Sequence, residues 1–170
     1  MFDQQMQSDE LQKTFLTCGL GEEVVALPVS RVKEILDPKP VTGLPHSPDF
    51  LLGYIDLRGE SIMVADLRLL LALPYREDEP DTRVIVLWVK IGDTEAAVGL
   101  RADRVIEVTR LDDDRLEKFA QDGLLNWDNR MVEGVGRRDG GFVTVLNLDG
   151  MMSSEVIQEF HAATGTKEAV

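Results

Sequence analysis

The sequence predicts a mainly β protein in which two pseudo-symmetric five-stranded barrels lie side by side, with short helices and a C-terminal helix. Two observations predict this fold class. Short runs of β-branched and aromatic residues bounded by turn residues are typical of strands. The same succession of residues also occurs twice in the chain, which indicates two copies of one small unit. Five short antiparallel strands that must protect their edges favour a closed barrel for each copy.

The internal repeat is visible in two blocks. Six residues of the first block recur 73 positions later, and four residues of the second recur 81 positions later. A period near half the chain length, seen twice, favours a duplicated unit over a solenoid, which needs three or more shorter repeats. The pairs are Glu22 and Glu95, Val25 and Val98, Leu27 and Leu100, Arg31 and Arg104, Val32 and Val105, and Glu34 and Glu107, followed by Gly53 and Gly134, Gly59 and Gly140, Val64 and Val145, and Leu67 and Leu148.

The first two strands of each copy are expected to form a hairpin. Gly21 interrupts the apolar run of residues 14–27, and Gly92 interrupts that of residues 82–100. Connections this short join antiparallel neighbours. Each copy should therefore begin with two strands that pair with each other.

Each copy then continues with a turn and a second pair of strands. Ser30 and Asp103 are good helix N-caps, so a single helical turn is expected after each of them. Two further strands are expected to flank a tight turn, at Arg58-Gly59 in the first copy and at residues 139–141 in the second.

Short helices and a linker complete the predicted organisation. Residues 67–73, stopped by Pro74, are expected to form one helix that leads into an acidic linker, and Ser153 can cap a C-terminal helix. The resulting division has four parts. They are a flexible tail at residues 1–12, a first barrel with its helix and linker at residues 13–80, a second barrel at residues 81–150, and a helix with a loose tail at residues 151–170.

The composition limits the classes of partner. The formal net charge is −13, whereas phosphate backbones and anionic lipids are bound mainly through Lys and Arg, so nucleic acid is disfavoured. No apolar run approaches the roughly 18 residues of a membrane span. The N-terminus lacks the features of a signal peptide, so a cytoplasmic location is expected. Cys18 is the only cysteine, and its apolar surroundings predict a core residue.

Catalytic, metal-binding and cofactor-binding motifs are not found in the sequence. The only histidines, His46 and His161, have no partner at metal-ligand spacing, and His46 is expected in an exposed turn. The sequence contains no glycine-rich phosphate-binding loop, and no serine lies in a nucleophile elbow. A binding protein without metal or cofactor is therefore favoured over an enzyme.

Glu34 and Arg58 are the charged residues with the most specific predicted positions. Glu34 follows the helical turn, and Arg58 occupies the tight turn of the same copy. They either form an ion pair or are two unrelated surface charges, and the residues alone leave both interpretations open. Because exposed ion pairs contribute little to stability, a polar binding surface is the more informative interpretation.

Several segments, in their order and spacing, resemble the CheW family of chemotaxis coupling proteins. The resemblance extends over roughly residues 13–154, and no single motif carries it. The segments are Val32-Lys33-Glu34-Ile35, Val41-Thr42, Leu44-Pro45, Pro48-Asp49-Phe50, Gly53, Leu57-Arg58-Gly59, Asp66-Leu67-Arg68, Glu133-Gly134-Val135-Gly136 and Asn147-Leu148.

The resemblance implies two SH3-like barrels with a groove between them, and a cytoplasmic adaptor without catalysis. Such an adaptor couples the helical-hairpin tips of membrane chemoreceptors to the regulatory domain of a CheA-type histidine kinase. Val32 and Glu34 match positions tied to receptor or kinase coupling, and Arg58 matches the arginine of the family's Asn-Leu-Arg-Gly turn. By extension from the repeat, the groove is expected to be lined by Ile35, Leu44, Val98 and Val105.

Two departures from the family pattern concern the choice of partners. Asp56 stands where the family usually has Asn, and Met63 stands where a proline is common. These changes leave open which receptor and kinase are used, and they allow service in a non-flagellar chemosensory pathway. A small-ligand-binding double barrel is the alternative function; nucleic-acid binding ranks third because of the charge, and catalysis ranks last.

Overall fold

The computed structural model describes residues 9–118 and 130–153, in which ten strands form two five-stranded sheets. The chain is mainly β, as predicted. The strands are β1 (Thr14–Leu20), β2 (Glu23–Pro28), β3 (Val32–Leu36), β4 (Leu51–Leu57), β5 (Glu60–Asp66), β6 (Arg83–Ile91), β7 (Thr94–Ala102), β8 (Arg104–Arg110), β9 (Val132–Arg138) and β10 (Gly141–Leu146); the short helices are α1 (Leu67–Leu70) and α2 (Leu148–Met151).

The two sheets form two small barrels. One sheet has the order β8-β1-β2-β10-β9 and takes strands from both ends of the chain, so we call it the terminal barrel. The other has the order β3-β6-β7-β5-β4, which is a continuous stretch of chain, and we call it the central barrel. In each barrel the predicted hairpins are present, since β1 pairs with β2 and β6 pairs with β7 in antiparallel fashion.

The predicted boundary between the barrels is wrong. Residues 13–80 and 81–150 do not each form a barrel, because the third strand of each copy pairs with the first strand of the other copy. Thus β3 pairs with β6, and β8 pairs with β1. The reason is that a duplicated chain offers two nearly identical strand edges. The residue pattern defines the strand, but it does not decide which of the two edges the strand joins.

Three hydrophobic clusters occur among the described residues, and the largest lies between the barrels. It unites residues of both hairpins with the short helices, and Cys18 lies within it, as predicted. Each barrel also has its own interior cluster. The shared cluster includes Leu16, Cys18, Leu27, Ile85, Leu87, Val89, Val98, Leu100, Leu67 and Met151; the central barrel encloses Ile55, Leu57, Ile62, Val64, Val84 and Val86; the terminal barrel encloses Ala26, Leu111, Val143 and Val145.

The duplication extends to local irregularities of the backbone. The pairing of β3 skips Lys33, and the pairing of β8 skips Ile106, its counterpart 73 positions later. The two tight turns also match, with positive φ at Arg58 (51°) and at Asp139 (52°). Both copies therefore carry a β-bulge and a strained turn at equivalent places.

The helix caps differ in part from the expectation. A 3₁₀ turn spans Val29–Arg31, but Pro28 precedes it and Ser30 does not cap it. No helical turn follows Asp103, where β8 begins directly. The helices α1 and α2 are instead capped by Asp66 and Asn147, whose side chains accept hydrogen bonds from Leu69 N and Gly150 N, each at 3.0 Å.

The ends of the chain are described only in part. Residues 9–12 form a helical turn, so this part of the predicted tail is ordered. The helix predicted after Ser153 lies outside the described residues. His46 occupies an exposed turn, as predicted, with φ of 61°. Within the described ranges, no helix has the length and apolar character needed to cross a membrane.

Candidate protein-interaction site

The bulge in β3 sends neighbouring side chains to opposite faces of the central barrel. Residues paired directly across an antiparallel ladder lie on the same face of the sheet. Val32 pairs with Leu87 and Ile35 pairs with Ile85, whose side chains belong to the shared cluster. Glu34 pairs with Val86, inside the central barrel. Val32 and Ile35 therefore lie on the outer face, and Glu34 lies on the inner face at the open end of the barrel.

Of the two interpretations that the sequence left open for Glu34 and Arg58, the structure shows the ion pair. Arg58 Nη1 donates to Glu34 Oε1 at 3.2 Å, and Nη2 donates to Oε2 at 2.5 Å, so the contact is bidentate. The Arg58 side chain is 68% exposed, whereas that of Glu34 is 23% exposed. The pair thus joins the β3 strand to the turn between β4 and β5, with the guanidinium facing solvent.

The turn that carries Arg58 is held by Asp56. The Asp56 Oδ1 atom accepts a hydrogen bond from Gly59 N at 2.8 Å, and Gly59 adopts a φ of 87° that favours glycine. An Asn side-chain carbonyl could accept the same bond. Asp56 therefore holds the turn as the Asn expected from the resemblance would, and it adds one negative charge beside the ion pair.

The electrostatics of the pair favour its ionised form. The hydrogen bond from Arg58 lowers the pKa of the Glu34 carboxyl group, and Lys33 and Lys39 act in the same direction. The same bond raises the pKa of Arg58. The two side chains are therefore charged throughout the physiological pH range, and the site presents an oriented guanidinium at its surface.

Lys33, the chain neighbour of Glu34, contacts two residues that were not assigned to the site from the sequence, Glu60 and Trp88. The Lys33 ammonium lies 4.9 Å from the centre of the Trp88 ring and 3.8 Å from Glu60 Oε2. Trp88 follows Val84 and Val86 on the inner face of β6, and its 38% exposure shows that this face leaves the barrel there. The sequence signal that could have identified Trp88 is the regular alternation of one face of β6, in which two valines are followed by an aromatic residue.

A second surface of the central barrel is apolar and exposed. Ile35 and Tyr54 both lie on the outer face, because Tyr54 pairs with Met63, which packs against the shared cluster. Backbone hydrogen bonds of 2.8 and 2.9 Å between Thr42 and Tyr54 hold residues 41–44 beside β4. We call the exposed set, Ile35, Val41, Leu44 and Tyr54, the apolar surface.

The residues predicted to line a groove between the barrels are divided by the structure. Ile35 and Leu44 are exposed, and Val105 is half-buried against the shared cluster, as is Val32. Val98 is only 1% exposed and lies inside that cluster, so it cannot line a groove. Val108, the counterpart of Ile35 in the second copy, is an exposed apolar residue that the prediction missed.

A buried ionic cluster, also missed, holds the connection between the copies. Asp103 accepts hydrogen bonds from Arg68 Nη2 at 2.6 Å, Gly21 N at 2.6 Å and Arg76 Nη1 at 3.1 Å. Burial disfavours the charge of Asp103, but these bonds outweigh it and lower the pKa. Nearby, Arg101 bonds to the buried Asp66 at 2.8 Å and to Asp78 of the acidic linker at 2.9 Å. The linker is therefore fixed to the barrels rather than free in solvent.

The family model of the CheW-like domain matches residues 14–156. The chain belongs to the CheW family. The matched range includes all ten strands described above, both bulges and both tight turns. The ion pair of Glu34 and Arg58 and the apolar surface thus lie on a CheW-like domain.

Individual relatives agree with this assignment. The chain is 26% identical over 141 residues to the chemotaxis protein CheW of Helicobacter pylori, covering 83% of this chain and 82% of that protein. It is 25% identical over 147 residues to the chemotaxis protein CheW of Thermotoga maritima, covering 85% and 90%. The crystal structure of the scaffolding protein TtCheW from Thermoanaerobacter tengcongensis superposes with a TM-score of 0.70 at 28% identity, covering 82% of this chain and 92% of that one. The chain is a CheW-like scaffold of chemotaxis signalling.

Proposed function

We propose that this chain couples chemoreceptors to a CheA-type histidine kinase in the cytoplasm and does so without catalysis. The open end of the central barrel, with Glu34 and Arg58, binds the regulatory domain of the kinase. The apolar surface binds the helical-hairpin tip of the receptor. The chain then transmits signal by fixing the relative positions of its two partners.

The observation that carries this proposal is the position of the Glu34 and Arg58 pair. The bidentate contact orients a guanidinium that is largely exposed and that, among the described residues, forms hydrogen bonds only with Glu34. Arginine is among the residues that contribute most to protein interfaces, since one planar group combines charge, hydrogen bonding and stacking. An exposed ion pair adds little to stability, so its geometry suits a binding role better than a structural one.

The apolar surface supports the assignment of the receptor. The apolar surface combines two exposed side chains of the outer face, Ile35 and Tyr54, with Val41 and Leu44 from the segment held beside β4. An amphipathic helix binds by laying its apolar face on a surface of this kind. Each single contact can be weak, because repetition in an array of receptors and kinases raises the overall avidity.

Calorimetric titrations with two single variants test the proposal. Arg58→Glu places like charges together and should weaken binding to the kinase regulatory domain at least fivefold, while receptor binding is retained. Ile35→Asp places a charge on the apolar surface and should weaken binding to a receptor fragment by a similar factor, while kinase binding is retained.

Arg58→Lys serves as a matched control, since it keeps the charge but loses the bidentate geometry, and its kinase affinity should lie between wild type and Arg58→Glu. Thermal unfolding should show nearly unchanged stability for all three variants, because both sites are exposed. Wild-type affinity of Arg58→Glu for the kinase domain would refute the assignment of this end of the barrel.

A further inference from the structure

We infer that Trp88 is an anchor of the kinase-docking surface, with Lys33 holding its ring in place. The inference rests on the proposed function. It adds a residue that determines the affinity of that surface for the kinase and its choice among kinases. It extends the site from the Glu34 and Arg58 pair across the end of the central barrel to β6.

The position of Trp88 places it on the same face as Glu34. Val84, Val86 and Trp88 alternate along β6 on the inner face of the central barrel, and Glu34 pairs with Val86. The first two valines are buried, whereas the Trp88 ring emerges at the barrel end with 38% exposure. A large aromatic side chain is therefore exposed next to the ion pair, where burial by a partner would remove apolar surface from water.

The bulge in β3 supplies the group that lies on the ring. Because the ladder skips Lys33, this residue has no direct partner on β6, and its side chain lies over Trp88 with the ammonium 4.9 Å from the ring centre. A cation at this distance is attracted by the electron-rich face of the indole. Arg31 Nη1 also donates to the Trp88 carbonyl at 3.3 Å, which fixes the backbone of β6 at this point.

Two side-chain contacts and one step along the chain connect the aromatic residue to the ion pair. Arg58 contacts Glu34, Glu34 adjoins Lys33 in the chain, and Lys33 lies 3.8 Å from Glu60 and over Trp88. The strip therefore alternates positive, negative, positive and negative charges beside one aromatic ring. An aromatic anchor surrounded by polar groups is the usual composition of a hot spot and its rim.

The alternating charges decide which partner fits. A partner must offer acids and bases in the opposite order together with an apolar side chain for the ring, which is the character of a polar barrel surface. The apolar stripe of a receptor helix would remove the four charged side chains from water and offer them no polar groups in return. That stripe fits instead the apolar surface, which lies on the outer face of the same barrel.

The experiment measures affinity for the purified regulatory domain of the CheA-type kinase of the source organism by calorimetry. Trp88→Ala should weaken binding at least tenfold, Trp88→Phe should retain most of the affinity, and Lys33→Glu should weaken it several-fold. The matched control is Phe142→Ala, since Phe142 is 67% exposed with the Arg137 guanidinium 4.3 Å from its ring, but it lies on the terminal barrel. Its affinity should equal that of wild type.

A spectroscopic readout separates direct contact from an indirect effect. In a Trp127→Phe background Trp88 is the only tryptophan, and its emission should shift to shorter wavelength when the kinase domain covers the ring. Wild-type affinity of Trp88→Ala together with unshifted emission would overturn the inference while leaving the proposed function intact. Failure of the wild-type chain itself to bind the kinase domain would overturn both.

Discussion

Asp103 shows how one side chain can connect the two copies of the repeat. It lies at the point where the chain passes from β7 of the central barrel to β8 of the terminal barrel. Its carboxylate accepts from Gly21 N in the first hairpin, from Arg68 of α1 and from Arg76 of the linker. A single charge thus joins four segments that are distant in sequence.

Replacement of Asp103 by Asn should destabilise the protein in a pH-dependent way. Removal of the charge leaves the nearly buried Arg68 without its charged partner, which lowers the free energy of unfolding by about 2 kcal/mol at neutral pH. The pKa of Asp103 is lowered in the folded state. The stability that its carboxylate contributes is therefore complete at pH values above the ordinary carboxyl pKa of about 4. That stability is lost as the pH falls through the folded-state pKa. The difference in unfolding free energy between wild type and Asp103→Asn should therefore shrink on acidification.

Asp149→Asn is the control for this prediction. Asp149 of α2 pairs with Arg31 at 2.5 Å and occupies the position that corresponds to Arg68 in the first copy. This second pair is more exposed than that of Arg68 and Asp103, so its loss should cost less. Chemical denaturation at several pH values measures both variants, and equal costs at all pH values would contradict the account.

At the residue scale, local patterns located single residues but not their partners. Glu34 and Arg58 could be assigned to a short strand and a tight turn from the residue types around them, whereas their pairing stayed open because 24 positions separate them. Asp103 was interpreted as a helix cap because Asp is common there. Its partners come from three distant segments, so no local pattern could reveal the buried ionic cluster.

At the scale of the element, the crossing strands β3 and β8 determine where the functional side chains point. Without the bulge at Lys33, regular alternation would place Val32 and Glu34 on one face and Ile35 on the other. The bulge instead puts Val32 and Ile35 on the outer face and leaves Glu34 facing Arg58. The surface proposed to bind the kinase and the apolar surface are thus separated within one short strand.

Element prediction from the sequence was accurate for hairpins and failed for the crossing strands. A glycine turn between two apolar runs determines both strands and their pairing, as at Gly21 and Gly92. The pairing of β3 depends on a choice between two similar edges, and that choice rests on the complete packing of the shared cluster. For the same reason Val98 was expected at a groove but lies in the core.

At the scale of the whole molecule, the barrels are interlocked rather than only adjacent. Each barrel takes strands from both copies, and the largest hydrophobic cluster of the described residues belongs to both barrels. Relative motion of the barrels would disturb this cluster and pull on β3 and β8. A rigid body of this kind suits a scaffold that must hold two partners in a fixed geometry.

Cleavage of the linker tests this interlocking. A protease site inserted between Pro80 and Asp81 should allow cutting into two fragments that remain together, since neither fragment contains all the strands of a barrel. The cut protein should elute from a sizing column at the position of the intact one and separate only in denaturant. If the fragments separate without denaturant, or if circular dichroism shows that either fragment is folded by itself, the two copies are independent units.

Co-sedimentation with receptor-bearing membranes tests most directly whether this chain bridges a receptor and a kinase through separate surfaces, as proposed. We expect the CheA-type kinase to sediment with the membranes only when the chain is present. The Arg58→Glu chain should sediment without the kinase, and the Ile35→Asp chain should stay in the supernatant with it. Equal sedimentation of the kinase with and without the chain, or a chain that follows neither partner, would contradict the account.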